Sequence, residues 1–317
     1  MSLNEEKAKF IANQMNLENG VIVNSGTIAI LSALKLSGIM INDKVLINGY
    51  CCYSLYEAIR MVGATPIIVV PKDFYSLDIS EISEVIDKYD INCVIAAHQY
   101  GIVQNVKMIR EKYPNIKIIE DIAQAWNLIN AGEKVGSYSD YVVTSFGETK
   151  PLSYGQAGAV FSNNDLHNYF DFHDRESRNS KNILLPFALY DCESIDQKLL
   201  VSNANEIVKK QRTVSEYLIQ YFSNNPNVTI HVDKDGDKSC YQRFPIIINN
   251  NDYSEELESI LNECGILYQW QNEKEIFELD MVTNYDTPII MNGEKHKYLL
   301  VRTRQNDIDN VKKLVRR

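Results

Sequence analysis

The sequence has few of the residues that build metal sites, and those few are scattered. Its six cysteines form no C-x-x-C pair, and no cluster of its five histidines stands beside them. Zinc and iron–sulfur sites need ligands at short, regular spacings, so the sequence gives no support for a metal centre. Cys51 and Cys52 are adjacent, a poor geometry for a disulfide framework, and we expect a reduced, cytoplasmic protein.

Long apolar runs and a surplus of positive charge are also lacking. No apolar run reaches the roughly 18–20 residues that a membrane helix needs, and the charged start lacks the apolar core of a secretory signal. The chain carries 32 Lys and Arg against 42 Asp and Glu, a net charge of −10. We therefore expect no membrane or nucleic-acid partner, and any anion must be bound by locally placed donors.

Three glycine-containing fingerprints are missing as well. The sequence contains no G-x-G-x-x-G, no G-x-x-x-x-G-K-[ST] and no G-x-S-x-G. The signatures of a dinucleotide-binding turn, of a P-loop and of a hydrolase nucleophile elbow are thus absent.

What the first half does contain is a regular alternation of short apolar strands and helical patterns. Strands are predicted at 21–23, 45–47, 66–70, 93–97, 117–120, 141–145 and 157–161. This alternation predicts an α/β fold with a mostly parallel central sheet and helices on both faces. Asp78 and Glu81 resemble a capping box at the start of one of those helices.

The pattern changes in the second half, where one long helix is predicted at 199–222. Shorter strands and helices follow it and predict a smaller α+β unit. We expect a large domain over residues 1–190 and a small C-terminal domain over 191–317, which is entered through the long helix.

Three polar features follow predicted strands, where ligands bind in open parallel sheets. Ser25-Gly26-Thr27 opens a helix whose N–H groups suit an anion, although such a serine is also a common N-cap. Asp121 follows a buried strand, where it either caps the next helix or pairs with a cation. Ser145 ends another strand, and Lys150 lies in the loop after it, where a lone lysine is usually solvated. Taken in order, they match what pyridoxal 5′-phosphate (PLP) requires: donors for the phosphate, a carboxylate for the ring nitrogen and a lysine for the aldehyde.

These residues lie in four runs that resemble the DegT/DnrJ/EryC1/StrS aminotransferases, which act on nucleotide-linked sugars. The resemblance is specific up to about residue 162 and only general beyond it. The four runs are Ser25-Gly26-Thr27, His98-Gln99-Tyr100-Gly101, Glu120-Asp121-Ile122-Ala123-Gln124-Ala125 and Ser145-Phe146-Gly147-Glu148-Thr149-Lys150.

The resemblance implies a PLP-dependent transferase of fold type I that forms a homodimer with interfacial active sites. The implied reaction moves an amino group from a donor such as glutamate to a keto-sugar, as in polysaccharide or antibiotic sugar biosynthesis. Lys150 is implied as the Schiff-base lysine, Asp121 as the partner of the ring nitrogen, and Gln124 as a neighbour of the ring hydroxyl. The phosphate would be held by Gly26, Thr27 and Ser145.

The chain also departs from the family pattern. Cys52 stands where an aromatic residue usually stacks on the pyridine ring, so Tyr53 or Tyr50 is the expected substitute. The usual G-E-G-G reads Gly155-Gln156-Ala157-Gly158, and the N-Y-R segment that reaches the neighbouring subunit is missing.

Two weaker assignments concern the substrate. His98 is either a core histidine or a substrate residue. Arg175 and Arg178, with Lys181, either clamp a diphosphate or form a solvated loop.

Three alternative functions remain open. One is a sugar dehydratase, in which the family lysine is replaced by histidine; the presence of Lys150 argues against it. Another is a different branch of fold type I, such as a desulfurase or an aldolase. The third is a regulatory homologue that keeps the fold without the activity, as Cys52 and Gln156 could indicate.

Overall fold

The computed structural model describes residues 2–72, 76–166, 189–285 and 287–316. No helix within these ranges is both long enough and apolar enough to cross a membrane. The same ranges hold no group of three or more His, Cys, Asp or Glu side chains arranged to bind a metal ion.

The described residues form nine α-helices and fourteen strands. The helices are α1 Leu3–Asn13, α2 Gly26–Leu36, α3 Ser54–Met61, α4 Ile79–Tyr89, α5 Val106–Lys112, α6 Gln197–Phe222, α7 Tyr253–Glu263, α8 Asp280–Thr283 and α9 Ile308–Val315. The strands of the first half are β1 Asn19–Val23, β2 Lys44–Asn48, β3 Thr65–Val70, β4 Cys93–Ala97, β5 Lys117–Asp121, β6 Ile129–Asn130, β7 Glu133–Lys134, β8 Tyr141–Ser145 and β9 Gly158–Ser162. The remaining strands are β10 Val228–Ile230, β11 Phe244–Ile248, β12 Tyr268–Trp270, β13 Ile289–Met291 and β14 Tyr298–Val301.

The large sheet has eight strands in the order β1-β9-β8-β5-β4-β2-β3-β13. Strand β9 runs antiparallel to both of its neighbours, and the pairs from β8 to β13 are all parallel. Apart from the edge strand β13, its strands are buried along nearly their whole length, as expected when helices cover both faces of a sheet. The predicted α/β fold with a mostly parallel sheet is confirmed.

A second, antiparallel sheet in the order β10-β11-β14-β12 lies in the second half of the chain, where α6 and α9 pack against each other. Strand β13 also comes from the second half, yet it pairs with β3 at the edge of the large sheet. A boundary near residue 190 therefore does not separate the strands of the two sheets completely. The division into domains 1–190 and 191–317 stays a prediction.

The start of α4 corrects one local expectation. Asp78 does cap the helix, because its carboxylate accepts the Ser80 amide at 2.8 Å. The carboxylate of Glu81 accepts the amide of Lys72 at 3.2 Å instead of turning back to the cap. The predicted capping box is therefore wrong, because the Glu81 side chain makes this tertiary contact and does not accept the backbone amide of Asp78.

Ala157 holds a backbone conformation that alanine rarely adopts. Its φ is +119°, its side chain is buried, and its carbonyl accepts the Phe146 amide at 2.8 Å. A positive φ at a residue with a Cβ costs about 1–3 kcal/mol. The departure from the family's glycine at this position therefore places strain directly before β9.

Ala157→Gly should raise the free energy of unfolding by about 1 kcal/mol, because the relieved strain exceeds the ~0.5–1 kcal/mol entropic cost of glycine. Denaturant unfolding measures the change. Ala159→Gly, two residues further and inside β9, is the matched control and should lower stability. A lower unfolding midpoint for Ala157→Gly than for the unchanged chain would contradict the prediction.

Candidate active site

The sequence-predicted residues meet at one cavity of ≈ 280 Å³ at the carboxyl ends of β4, β5 and β8. Register explains the convergence, since Ala97 at the end of β4 pairs with Asp121 at the end of β5, and Asp121 pairs with Val143 in β8. Seven of the predicted residues line this cavity: Gly26, Thr27, His98, Asp121, Gln124, Ser145 and Lys150.

One end of the cavity is the start of α2. Ser25 caps this helix, because its hydroxyl accepts the Ile28 amide at 3.2 Å. The amides of Gly26 and Thr27 donate to no acceptor within the described ranges, and they lie beside the Ser145 hydroxyl. A Cβ on Gly26 would stand 2.8 Å from the Cβ of Ser145, so only glycine allows this approach of α2 to β8. The two amides, the Ser145 hydroxyl and the positive end of the helix form a cradle for an anion.

Asp121 also lines this cavity, and it is 7% exposed. Burial raises the pKa of its carboxyl group, and the Ala123 amide, Lys150 and His98 act in the opposite direction. One carboxylate oxygen accepts the Ala123 amide at 2.8 Å. The charged carboxylate would be stabilised further by a cationic group bound in the cavity.

His98 is held by protein groups on both sides of its ring. Its Nδ1 accepts the Gln104 amide at 3.1 Å, so its Nε2 carries the proton and donates to Glu120 at 3.0 Å. The other oxygen of Glu120 accepts the Gly136 amide and the Ser139 hydroxyl. Neither ring nitrogen is left for a substrate, so this geometry does not support His98 as a substrate residue. It favours the core histidine, with a ring face in the cavity wall.

The side-chain amide nitrogen of Gln124 is its group available for binding in the cavity. Its Oε1 accepts the backbone amide of Tyr100 at 2.9 Å, which leaves the Nε2 group as the donor available to the cavity. Tyr100 holds a positive φ of 58° to make this contact. The strained turn after β4 thus fixes the orientation of a side chain that lies after β5.

Lys150 stands at the junction of two cavities. The turn after β8 is closed by its amide, which donates to the Gly147 carbonyl at 2.9 Å. Its side chain is half-buried, and its ammonium group has no hydrogen-bond or ion-pair partner among the described residues. The second cavity, of ≈ 370 Å³, shares Cys52, Gln99, Gln124 and Lys150 with the first. An amine at this junction can reach a group bound in either cavity.

The aromatic substitutes for the stacking residue do not reach the first cavity. Cys52 lines both cavities, whereas Tyr53 lines only the second, and its hydroxyl bonds to Glu57. Tyr50 is buried, and its hydroxyl donates to the Glu294 carbonyl at 3.1 Å. The geometry therefore does not support Tyr53 as a cofactor-binding residue. Arg175, Arg178 and Lys181 lie outside the described residues.

Sequence reasoning missed several residues of the site. Glu120 could have been found, because a second carboxylate at the end of a buried strand needs a partner of its own. Gln242, Arg243 and Glu275 line the second cavity but lie in the C-terminal half, far from any motif. Only contacts between distant segments bring them there, such as the hydrogen bond from the Arg243 amide to the Tyr100 carbonyl at 3.3 Å.

The comparisons with known proteins agree with this geometry. The profile of the DegT/DnrJ/EryC1/StrS aminotransferase family matches residues 3–182. GDP-perosamine synthase of Escherichia coli O157:H7 is 30% identical over 155 residues, which cover 48% of this chain and 42% of that protein. UDP-N-acetyl-3-dehydro-alpha-D-glucosamine 3-aminotransferase of Acidithiobacillus ferrooxidans is 32% identical over 152 residues, 47% of this chain and 40% of that protein. The chain thus matches less than half the length of these curated relatives.

Solved structures extend the likeness of fold to the whole chain. DesV of S. venezuelae superposes with a TM-score of 0.81 at 19% identity, over 100% of this chain and 88% of that one. A DegT DnrJ EryC1 StrS aminotransferase from Brucella abortus gives 0.79 at 19% identity, over 98% and 87%. The predicted fold class is confirmed. With the family profile covering more than half of its length, the chain belongs to the DegT/DnrJ/EryC1/StrS aminotransferase family.

Proposed function

We propose that this chain is a PLP-dependent aminotransferase that moves an amino group from an amino acid such as glutamate to a nucleotide-linked keto-sugar. The observation that carries the proposal is the position of Lys150 between two cavities, with an ammonium group that has no partner among the described residues. One cavity joins an anion cradle to a buried carboxylate, and the other is large enough for a reactant. The relatives named for GDP- and UDP-linked sugars support the acceptor class.

The residues present fit PLP. Its phosphate would lie on the amides of Gly26 and Thr27 with the Ser145 hydroxyl, where the absent Cβ of Gly26 keeps the cradle open. Asp121 would face the ring nitrogen, and the free amide of Gln124 would donate to the ring hydroxyl. When bound, PLP supplies an aldehyde that captures amines and a ring that withdraws electrons.

The chain's own residues then do the proton chemistry. Lys150 would take the proton from the α-carbon of the donor as a general base and would donate it, as a general acid, at the carbon that the PLP aldehyde supplies. Asp121 would hold a negative charge opposite the ring nitrogen and so favour its protonated form, which is the form that withdraws electrons. The Glu120–His98 pair fixes the wall beside Asp121. Amination of the keto-sugar uses the same groups in the reverse direction.

The homodimer and the cytoplasmic location stay proposals. Ile41, Met61 and Tyr285 are 73%, 59% and 66% exposed, and the Arg60 guanidinium lies 5.9 Å from the Tyr285 ring centre. Helix α3 runs from the cavity wall at Ser54 to this apolar surface at Met61, which supports a dimer contact next to the site. A single-subunit mass of the PLP-loaded protein in sedimentation would argue against it.

The functional test is to supply PLP, an amino acid and a panel of nucleotide-linked keto-sugars. An aminated sugar and the matching 2-oxo acid, both followed by mass spectrometry, are the expected products. A deoxygenated sugar without nitrogen would favour the dehydratase alternative, and no product with any pair would favour the regulatory one. Retention of Lys150 argues for the transaminase.

Gly26→Ala should weaken PLP binding by about 10-fold or more, because the new methyl group pushes α2 away from Ser145 and breaks charge-assisted hydrogen bonds worth ~1.5–3 kcal/mol each. Equilibrium dialysis gives the dissociation constant. Gly147→Ala is the matched control, since its Cβ would stand 3.6 Å from the Ser145 hydroxyl, an ordinary contact. Equal binding by the Gly26→Ala chain and the unchanged chain would disprove the cradle.

A further inference from the structure

Arg243 lies at the wall of the second cavity next to Arg302, and neither arginine has an acidic partner among the described residues. Phe244 in β11 pairs with Val301 in β14, so the next residues out, Arg243 and Arg302, stand opposite each other. Arg243 lines the cavity that contains Lys150. Neither guanidinium forms an ion pair with any carboxylate of the described ranges.

Within the described part of the chain, the hydrogen bonds of this pair leave most of its donors without an acceptor. The Arg243 side chain donates there only to Gln305 Oε1, at 3.5 Å, the limit of a hydrogen bond. Arg302 donates through Nη2 to Gln269 Oε1 at 3.0 Å, and its buried Nε has no acceptor within the described part of the chain. Because Gln269 accepts through its oxygen, its amide nitrogen is left as a donor at the cavity wall.

Like charges directly opposite on an antiparallel pair destabilise the sheet. Burial and the neighbouring Arg302 both lower the pKa of Arg243, the direction expected for a buried cation beside a like charge. The acidic groups of the same wall are engaged elsewhere or exposed: Glu275 accepts the Tyr298 hydroxyl at 2.7 Å, and Glu273 is solvent-exposed. The charge of the arginine pair is therefore not balanced by these residues.

We propose that Arg243 and Gln269 form an oxyanion subsite of the second cavity, with Arg302 as the residue that positions Gln269. An arginine fork and an amide donor suit a carboxylate or a phosphate. The proposal rests on the proposed function and adds to it that one reactant is anchored by such a group while its reacting carbon faces Lys150. The two sources are the carboxylate of the amino donor and the phosphate of the sugar nucleotide.

The test measures the two half-reactions of the PLP-loaded protein separately, with glutamate as donor and with the keto-sugar as acceptor. Arg243→Met should raise the half-saturating concentration of one reactant about 10- to 100-fold, with a smaller effect on the limiting rate. An effect on glutamate identifies the carboxylate, and an effect on the sugar nucleotide identifies the phosphate. Arg243→Lys should restore part of the affinity, since it keeps the charge without the fork.

Arg316→Met is the control for loss of one positive charge, because Arg316 is exposed at the end of α9. Unchanged half-saturation for both reactants in Arg243→Met would overturn the subsite. If the unchanged chain performs neither half-reaction, the proposed function fails, and calorimetry with glutarate and with pyrophosphate still decides the subsite. Weaker binding of glutarate or pyrophosphate by Arg243→Met, and to a smaller degree by Arg243→Lys, supports the subsite. Equal binding by all the chains overturns it.

Discussion

Lys150→Ala should abolish amino transfer while leaving the fold intact. The side chain is the general acid and base of the proposed reaction, and loss of such a group together with the covalent anchor lowers the rate by about 10⁴-fold or more. Stability should hardly change, because the ammonium group has no hydrogen-bond partner within the described residues and substitutions that break no such contact usually shift stability by about 0.5 kcal/mol or less.

Borohydride reduction with PLP present makes this prediction specific. The peptide that contains residue 150 should gain the mass of the reduced cofactor in the unchanged chain and not in the variant. Lys35→Ala removes an exposed lysine from the far end of α2 and serves as the control, with full labelling and full activity. Turnover by Lys150→Ala at the rate of the control would exclude Lys150 as the reacting amine.

Asp121→Asn should lower kcat by about 10²- to 10⁴-fold, the effect expected when one partner of a buried ion pair is removed. Asparagine can still accept the Ala123 amide, so the wall keeps its shape. The loss therefore reports the missing charge opposite the ring nitrogen. A kcat within a few-fold of the unchanged chain would mean that Asp121 does not act on the cofactor.

The same substitution should stabilise the PLP-free chain at neutral pH. Burial raises the pKa of Asp121, so the folded chain binds this proton more tightly than the unfolded chain. Stability contributed by this group is therefore greatest at low pH and falls as the pH rises through the raised pKa. Asparagine removes that loss. The Tm of Asp121→Asn should therefore exceed the Tm of the unchanged chain at pH 7, and the two Tm values should become equal in acid.

The strands and the anion cradle could be predicted from sequence because they depend on local signals. Periodicity located β4 and β5, and a serine and a glycine before an apolar helix located the start of α2. Parallel pairing then places strand ends at one edge, which explains why the order of Ser25, Asp121 and Lys150 predicted a single site.

What the sequence did not predict depends on contacts between distant segments. Strand β13 has three residues, too few for a periodic pattern, and its pairing with β3 is decided by tertiary packing. The partners of His98 lie at residues 104 and 120, so a motif could not decide between core and substrate roles. Arg243 became a candidate only when β11 and β14 paired.

The central claim is that Lys150 holds PLP in the first cavity and that a bound amino acid replaces it there. The most direct measurement is the visible absorption spectrum of the PLP-loaded chain during titration with glutamate. We expect an absorbance shifted from that of free PLP, lost in Lys150→Ala, which bleaches in the unchanged chain as 2-oxoglutarate appears in equal amount. A spectrum identical to that of free PLP, or the same shift in Lys150→Ala, would contradict the claim.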